Sequence, residues 1–486
     1  DRFSGTRYDP DRLPIDDDYA AFRRIFWLAT DRSYKAAAEA IARKHAALKQ
    51  ITQTETLPDL WKAEAVRLIQ GPRRLDIEEQ RWTQRVRAWS GVFSGFEEIV
   101  SSGVAMQSGQ ALRYLVNSEG TRIRVPDNLL WVEIRAQARA SDNSLVRDAE
   151  VIEAHDISSF PDEKEVSRAA LQLAQNVRAM AGAVRGEAYT GPVLFEGAAG
   201  PQIVAELFGS QLALTRRPVS EPQRPFPFRA SDLEGRLGSR VMPEFLNVVD
   251  DPTRTTIDGR RLLGDYQIDE EGVPAKPLSI VEKGVLKTVL LTRQPMRGFN
   301  GSNGRARLPG GFGARSAAFS NLIVSSSESV SREELRKKLL ELCEQRQKPY
   351  GIIVRKMDYP SSAPFDELRR IAVASQQSGS SARPVSSPLL IYRVYTDGRE
   401  ELLRGVRFRS FGTRALRDVV AVSSETETFS FLYNQTPFSL MGASSYVAPV
   451  SVVAPALLFD EAELEVPQDD LLRAPLVPPP ALRQIR

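Results

Sequence analysis

The sequence predicts an α+β protein: N-terminal helices plus an antiparallel sheet, followed by a β-rich C-terminal half. Three observations carry this. Apolar residues recur at helical spacing in the opening segments, and the period switches to two between about residues 97 and 155. After residue 190 most apolar runs are short and bounded by turn residues. At 486 residues the chain is too long for one ordinary domain, and 42% apolar with 26% charged residues is a globular composition. The expected division is an N-terminal α+β domain over 1–188, a β-rich domain over 189–470 and a proline-rich tail over 471–486.

The elements follow in order. "DDDYAAFRRIFWLATDRSYKAAAEAIARKHAALKQ" places Tyr19, Phe22, Phe26 and Ala29 at helical spacing, and its acidic start suits the positive end of a helix dipole. His45 falls on its polar later half, as a solvated side chain. A second helix is expected over 58–70 and a third over 76–96, the latter from the spacing of Ile77, Trp82, Val86 and Trp89. "ALRYLVNSEGTRIRV" reads as a hairpin turning at Asn117–Gly120, and "LLWVEIRAQAR" and "RDAEVIEAHDI" as further strands. The helix "DEKEVSRAALQLAQNVRAMAGAV" closes this half. "GPVLFEGAAGPQIVAELFG" (191–209) is a strand running into a helix through a glycine-rich corner, and "RRPVSEPQRPFPFRASD" (216–232) an extended crossing segment. Hairpins turn at Glu282–Gly284 and Asp397–Gly398, and strands are expected at 320–326, 351–357, 427–433 and 446–465. Residues 375–387 read as a mobile loop.

Composition removes several function classes. Lys+Arg 65 against Asp+Glu 62 gives a net charge of only +3, without the broad basic field that nucleic acid needs. The single cysteine, Cys343, excludes a disulfide framework and a Cys-rich metal site, and reads as a small core residue of an amphipathic helix. Only two histidines exist, His45 and His155, far apart in the chain, whereas zinc enzymes commonly group two or three. There is no P-loop, CxxC pair or HExxH, and no Gly-x-Ser-x-Gly elbow; His155, beside Asp156 at a strand end, reads as a surface or capping residue. The longest apolar run, 446–459, is broken by Pro449 and Pro455 and is too short to span a bilayer. The start at Asp1 is expected to follow an upstream segment, which leaves the compartment open between cytoplasm and periplasm.

Two stretches are unusual. "GFNGSNGRARLPGGFGAR" (298–315) allows close backbone approach and offers Arg305, Arg307 and Arg315 to a carboxylate or phosphate; a structural or cleft-lining loop is the reading preferred to a dinucleotide site. Residues 250–294 crowd Asp250, Asp251, Asp265, Asp269, Glu270 and Glu271 without the spacing of an EF-hand, so these are expected in turns between strands.

Five motifs in this order resemble the TldD/PmbA family, the modulators of DNA gyrase, which are metallopeptidases or their partner subunits. They are the corner "GPVLFEGAAGPQIVAELFG", then "DYQIDEEGVPAKPLSIVEKGVLKTVLLTRQ", "GSNGRAR", "FSNLIV" and "SSYVAPVSVVAPALLFDEAEL", covering roughly 190–465. In metal-bearing members the corner carries His-Glu-x-x-x-His, with two zinc-binding histidines, a general-base glutamate and a later cysteine ligand. Carried over on the "VLxxxAxG" frame, these fall on Glu196, Gly197, Pro201 and Met441, which removes the required chemistry. The resemblance therefore implies a chain with no catalytic residue, metal or cofactor of its own. It implies a metal-less subunit of a hetero-oligomeric peptidase that positions unfolded peptide for a metal-bearing, zinc-containing TldD-like partner. Asn303, Gly304, Arg305 and Tyr446 are the candidates for lining the shared cleft. A metal-independent enzyme using Glu196, Tyr446 and Arg305, and a non-catalytic scaffold, are the rival readings.

Overall fold

Alternation along one strand builds the first core. Leu130, Val132, Ile134, Ala136 and Ala138 point the same way and meet Trp82, Trp89 and Phe93 from one helix and Val166, Ala170, Leu173, Val177 and Met180 from another. The structure, a computed structural model, describes residues 13–49, 57–217, 230–309, 315–359, 385–434 and 448–467. Its N-terminal part runs α1 (Tyr19–Leu48), β1 (Arg67–Ile69), α2 (Glu79–Gly91), β2 (Ile99–Val116), β3 (Arg122–Arg139), β4 (Leu145–Ala154) and α3 (Glu163–Gly182). The long β2–β3 hairpin turns at 117–121 and β4 continues it antiparallel, while β1 joins the start of β3 in parallel. Asp162 and Glu165 form a capping box that starts α3, leaving its apolar stripe to cover the sheet.

The second part is organised on a 12-stranded sheet. Its elements are β5 (Val184–Arg185), β6 (Tyr189–Phe195), α4 (Ala199–Leu207), β7 (Leu246–Asp250), β8 (Thr256–Ile257), β9 (Arg260–Arg261), β10 (Leu278–Glu282) and β11 (Val285–Leu286). There follow β12 (Ala306–Pro309), β13 (Arg315–Ala317), β14 (Asn321–Ser326), α5 (Arg332–Gln345), β15 (Tyr350–Met357), β16 (Pro388–Tyr395), β17 (Glu400–Arg404), β18 (Arg407–Phe408), β19 (Val419–Tyr433) and β20 (Ala448–Glu465). The order is β11-β10-β7-β14-β20-β6-β15-β16-β17-β5, with β18 and β19 also paired to β20. Strand β6 is central and apolar on both faces. Val193 and Phe195 enter the main core with α4, whereas Leu194 enters a second core under α5. Cys343 lies buried in that second core, as its helix pattern predicts, and burial pushes its thiol up to about 11.

One expected helix is absent. Residues 58–70 are extended and end in β1, because their period is two: Val66 and Leu68 pack together on Ile123, Val125 and Ile268. Backbone bonds fix this path, with Trp61 N–H donating to Arg293 O at 2.8 Å and Arg122 N–H to Val66 O at 2.8 Å. His155 also differs from expectation. Nδ1 lies 3.1 Å from Asn128 O in the first part and Nε2 2.9 Å from Leu263 O in the second, so the ring bridges the two. Asp156 supplies the cap, accepting from Ser159 N–H. His45 is exposed, as expected. Most of 216–232, most of the 375–387 loop, the 471–486 tail, Met441 and Tyr446 lie outside the described residues.

A buried ion pair ties the second part together. Arg305 and Asp250 have fully buried side chains, and the guanidinium donates Nε–H to Asp250 Oδ2. Its other donors reach the carbonyls of Asn303 (2.8 Å), Asp250 (3.1 Å) and Lys276 (2.7 Å). Asp250 Oδ1 accepts from Ser320 N–H at 2.6 Å and Ser320 Oγ–H at 2.8 Å. Removing one partner of such a pair strands the other in a site without water. Arg305→Ala is therefore expected to cost about 3–5 kcal/mol in urea denaturation. Arg409→Ala, which breaks an exposed pair with Glu463, should cost under about 1 kcal/mol. Equal, small losses in the two variants would remove the role assigned to the buried pair.

Candidate functional site

The glycine-rich corner is a packing device. Gly197 has φ +60°, a region glycine enters without strain, and a Cβ on Gly200 would lie 2.9 Å from Pro455 O. Pro201 is the third residue of α4, in the first turn, where a missing N–H loses no helical bond. Glu196 is spent on an ion pair, accepting from Arg355 Nε–H at 2.6 Å. Arg355 also grips both oxygens of Glu400 at 2.8 and 2.9 Å and lies over the Tyr392 ring. Glu196, Gly197 and Pro201 do not border the large cavity described next.

That cavity, of about 650 Å³, opens at the far end of α4. Glu206, Leu207, Ser210 and Gln211 form its floor, and Arg409, Phe411, Thr413, Arg414 and Arg417 part of its wall. Glu206 and Gln211 stand five residues apart, the spacing between the first and last positions of His-Glu-x-x-x-His, with Leu207 in the middle place. Glu206 is held on both oxygens: Gln202 Nε2–H donates to Oε1 at 3.1 Å and Ser386 N–H to Oε2 at 2.7 Å. Burial nevertheless pushes its carboxyl up to about 7, outweighing these two bonds. Gln211 Oε1 accepts from Asp232 N–H at 3.1 Å, and Thr413 Oγ–H donates to Leu207 O at 2.8 Å. The floor is closed on itself. The wall is not: the side chains of Arg236, Arg414 and Arg417 line the cavity with no hydrogen bond or ion pair among the described residues.

A zinc ion does not fit this floor. It would have one carboxylate whose oxygens are already engaged, one amide and a leucine. Among the described residues no three His, Cys, Asp or Glu side chains come together as a ligand set.

The cleft candidates fall elsewhere. Asn303 staples a loop, accepting from Leu291 N–H at 2.8 Å and donating to Val289 O at 2.7 Å. Gly304 has φ +75°, and a Cβ there would meet Pro274 O at 2.6 Å. Arg305 is wholly internal, so it cannot line a cleft or grip a substrate carboxylate; the reason is its buried partner Asp250. The stretch reaches a second cavity, of about 220 Å³, through Ala306 and Arg307 instead. Arg307 there donates to the carbonyls of Phe319 (2.5 Å) and Pro449 (2.6 Å), and Arg315 pairs with Glu270 at 2.8 Å. The acidic cluster is structural: Asp269 accepts from the N–H groups of Glu271, Val273 and Ala306. The sequence signal for the large cavity was a lone carboxylate, Glu206, inside the apolar run "PQIVAELFG".

Comparison with known proteins decides the family. Residues 188–362 match the PmbA/TldA metallopeptidase C-terminal domain. This part of the chain carries a domain of the TldD/PmbA family. A metalloprotease of Archaeoglobus fulgidus is 38% identical over 81 residues, which is 17% of this chain and 18% of that protein. One from Methanothermobacter thermautotrophicus is 44% identical over 64 residues, 13% of each. The matches thus span under a fifth of these relatives. The fold extends further. A proposed modulator of a DNA gyrase from Thermotoga maritima superposes with TM-score 0.58 at 14% identity, over 89% of this chain and 82% of that one. TldE from Thermococcus kodakarensis gives 0.52 at 15%, over 89% and 85%. The TldD/PmbA fold is therefore the α+β architecture described above. No helix among the described residues is long and apolar enough to cross a membrane.

The raised Glu206 carboxyl has a signed consequence. Below its ordinary value of 4.5 it is protonated folded and unfolded alike; between 4.5 and about 7 only the unfolded chain ionises. Glu206 therefore makes stability fall as pH rises through that window, by about 3 kcal/mol, and the loss levels off above it. Glu206→Gln should flatten this part of the pH–stability curve, so the variant gains on the parent between pH 5 and 7.5 in urea titrations. A constant difference between the two would contradict the buried carboxyl.

Proposed function

We propose that this chain is a metal-less subunit of a hetero-oligomeric TldD/PmbA-type peptidase, positioning unfolded peptide for a metal-bearing partner. The observation that carries the reading is the floor of the large cavity. The end of α4 and the short turn after it present Glu206, Leu207 and Gln211 at the motif's spacing, with no imidazole and no carboxylate in the base position. On this reading the degenerate positions are Glu206, Leu207 and Gln211 rather than Glu196, Gly197 and Pro201. Peptide binding falls to the guanidinium groups of Arg236, Arg414 and Arg417, which have no side-chain partner among the described residues and suit a carboxylate, beside the apolar Phe411. Orientation by such a wall lowers a partner's barrier without chemistry in this chain.

A second reading is favoured by one observation. Glu206, titrating at about 7 beside a cavity, has the protonation behaviour of a general acid or base. It would make the chain a metal-independent enzyme.

The test uses the purified full chain, alone and mixed with a metal-bearing relative from the same organism. Elemental analysis should find well under one zinc per chain, and the chain alone should not cleave unfolded peptides. The mixture should associate and cleave faster than the relative alone. Arg414→Ala with Arg417→Ala should raise KM about tenfold, with assembly intact. Turnover by the isolated chain that Glu206→Gln abolishes would replace this reading with the second.

A further inference from the structure

The tip of the β2–β3 hairpin leaves one sheet face uncovered. Leu68 of β1, Ile123 of β3 and Leu115 of β2 turn to the other face and pack with Ile268. Alternation therefore puts their neighbours on the opposite side. Two rungs stand there: Arg67, Arg122 and Val116 side by side, then Ile69, Arg124 and Tyr114. Val116 is 75% exposed, Tyr114 65% and Ile69 50%. Helices α2 and α3 cover this face only further along β3, from Leu130 to Ala138.

Every side chain in the two rungs is cationic, aromatic or aliphatic. Arg67 and Arg122 are direct neighbours across the strand pair, about 4.8 Å apart at the backbone, an arrangement that repels. Both side chains are exposed and make no hydrogen bond or ion pair among the described residues. Arg124 donates Nε–H to Gln70 O at 2.8 Å, and its terminal nitrogens have no partner among the described residues. The hairpin's own carboxylate, Glu119, is taken by Arg293 at 2.6 Å. Glu64, on the approach to β1, is exposed and pairs with none of the three arginines. Three guanidinium groups are thus held together on a flat surface without an internal anion. Their repulsion is relieved when an anion from outside binds across them.

Spacing and composition select the occupant. Arg122 and Arg124 stand two residues apart on one strand, about 6.7 Å, which is the repeat of alternate side chains in any extended chain. An extended stretch with an acid at every second residue therefore meets both in register, and Arg67, one strand over, flanks the first of those acids. Tyr114, Val116 and Ile69 supply apolar contact on either side. Single-stranded nucleic acid calls for several stacking rings and a basic field, and this face has one ring in a chain of net charge +3. We propose that the exposed hairpin face of Arg67, Arg122, Arg124 and Tyr114 is a docking surface for an acidic, extended segment of a partner protein. This is independent of how the α4 cavity is read.

Fluorescence anisotropy on the full chain tests it, with a labelled peptide of alternating glutamate and threonine as the probe. The parent should bind this peptide about tenfold more tightly than a glutamine–threonine control, and added salt should weaken the binding. Arg67→Gln with Arg122→Gln should bring the affinity down to that of the control. The thermal melt of this double variant should lie at or above the parent's, because both positions are exposed and a repulsion is removed. Arg414→Ala with Arg417→Ala should leave the affinity for the probe unchanged, which separates this face from the cavity wall. Equal affinity for the two peptides, loss of binding on changing the cavity wall alone, or capture of oligothymidylate or phosphatidylserine vesicles in place of the acidic peptide would each overturn the proposal.

Discussion

The second half of this protein is arranged around one ion pair. Asp250 ends β7, Arg305 leads into β12 and Ser320 precedes β14, and these three meet with no water between them. The guanidinium supplies donors in a planar fork, and the structure fills them with one carboxylate and the carbonyls of the loops at 276 and 303. This matters because those loops have little regular structure of their own. Their backbone groups need partners, and the arginine provides them from inside. An arginine in a glycine-rich stretch invites a ligand-binding reading, yet here the ligand is the protein itself.

The same logic separates the two ends of α4. At the corner, Gly197, Gly200 and Pro201 solve problems of backbone approach and direction, and Glu196 is absorbed by Arg355. At the other end polar side chains face space. Gln202, Glu206 and Ser386 close on one another, and Gln211 closes on Asp232, so the floor has no free donor or acceptor set for a metal. On the wall, the side chains of Arg236, Arg414 and Arg417 make no hydrogen bond or ion pair among the described residues, beside the acids Asp232, Glu234 and Asp418. In Glu206 two hydrogen bonds favour the anion and burial opposes it, and burial wins. A carboxyl balanced in this way changes state near neutrality without any metal or catalytic partner.

Much of the fold was legible because the relevant signals are local. The β2–β3 hairpin announces itself by Asn117 and Gly120 between alternating runs, and α3 by its capping box. The 58–70 segment misleads because Leu60, Trp61, Val66, Leu68 and Ile69 suit a helix, and only the pairing with β3 selects the period of two. The site was less legible, for the same reason. Whether Arg305 faces a cleft or a core depends on Asp250, 55 residues earlier in the chain. His155 looked like a surface residue because Leu263, its second carbonyl, is a partner 108 residues later in the chain. Glu206 sat in plain view, but nothing local in "PQIVAELFG" signals that its carboxyl borders a cavity.

The placement of charge explains how a chain of this family can hold a cavity without ligand chemistry. A carboxylate on the floor would ordinarily attract the neighbouring arginines and collapse the space. Here its oxygens are taken by Gln202 and Ser386, and its negative charge is suppressed by burial. The floor therefore offers the wall arginines no free carboxylate, although Asp232, Glu234 and Asp418 line the same cavity beside them. A charge-assisted hydrogen bond made to a ligand is worth about 1.5–3 kcal/mol, while an arginine already paired inside would have to break a bond to make one. Closing and neutralising the floor thus removes one internal competitor for the wall arginines.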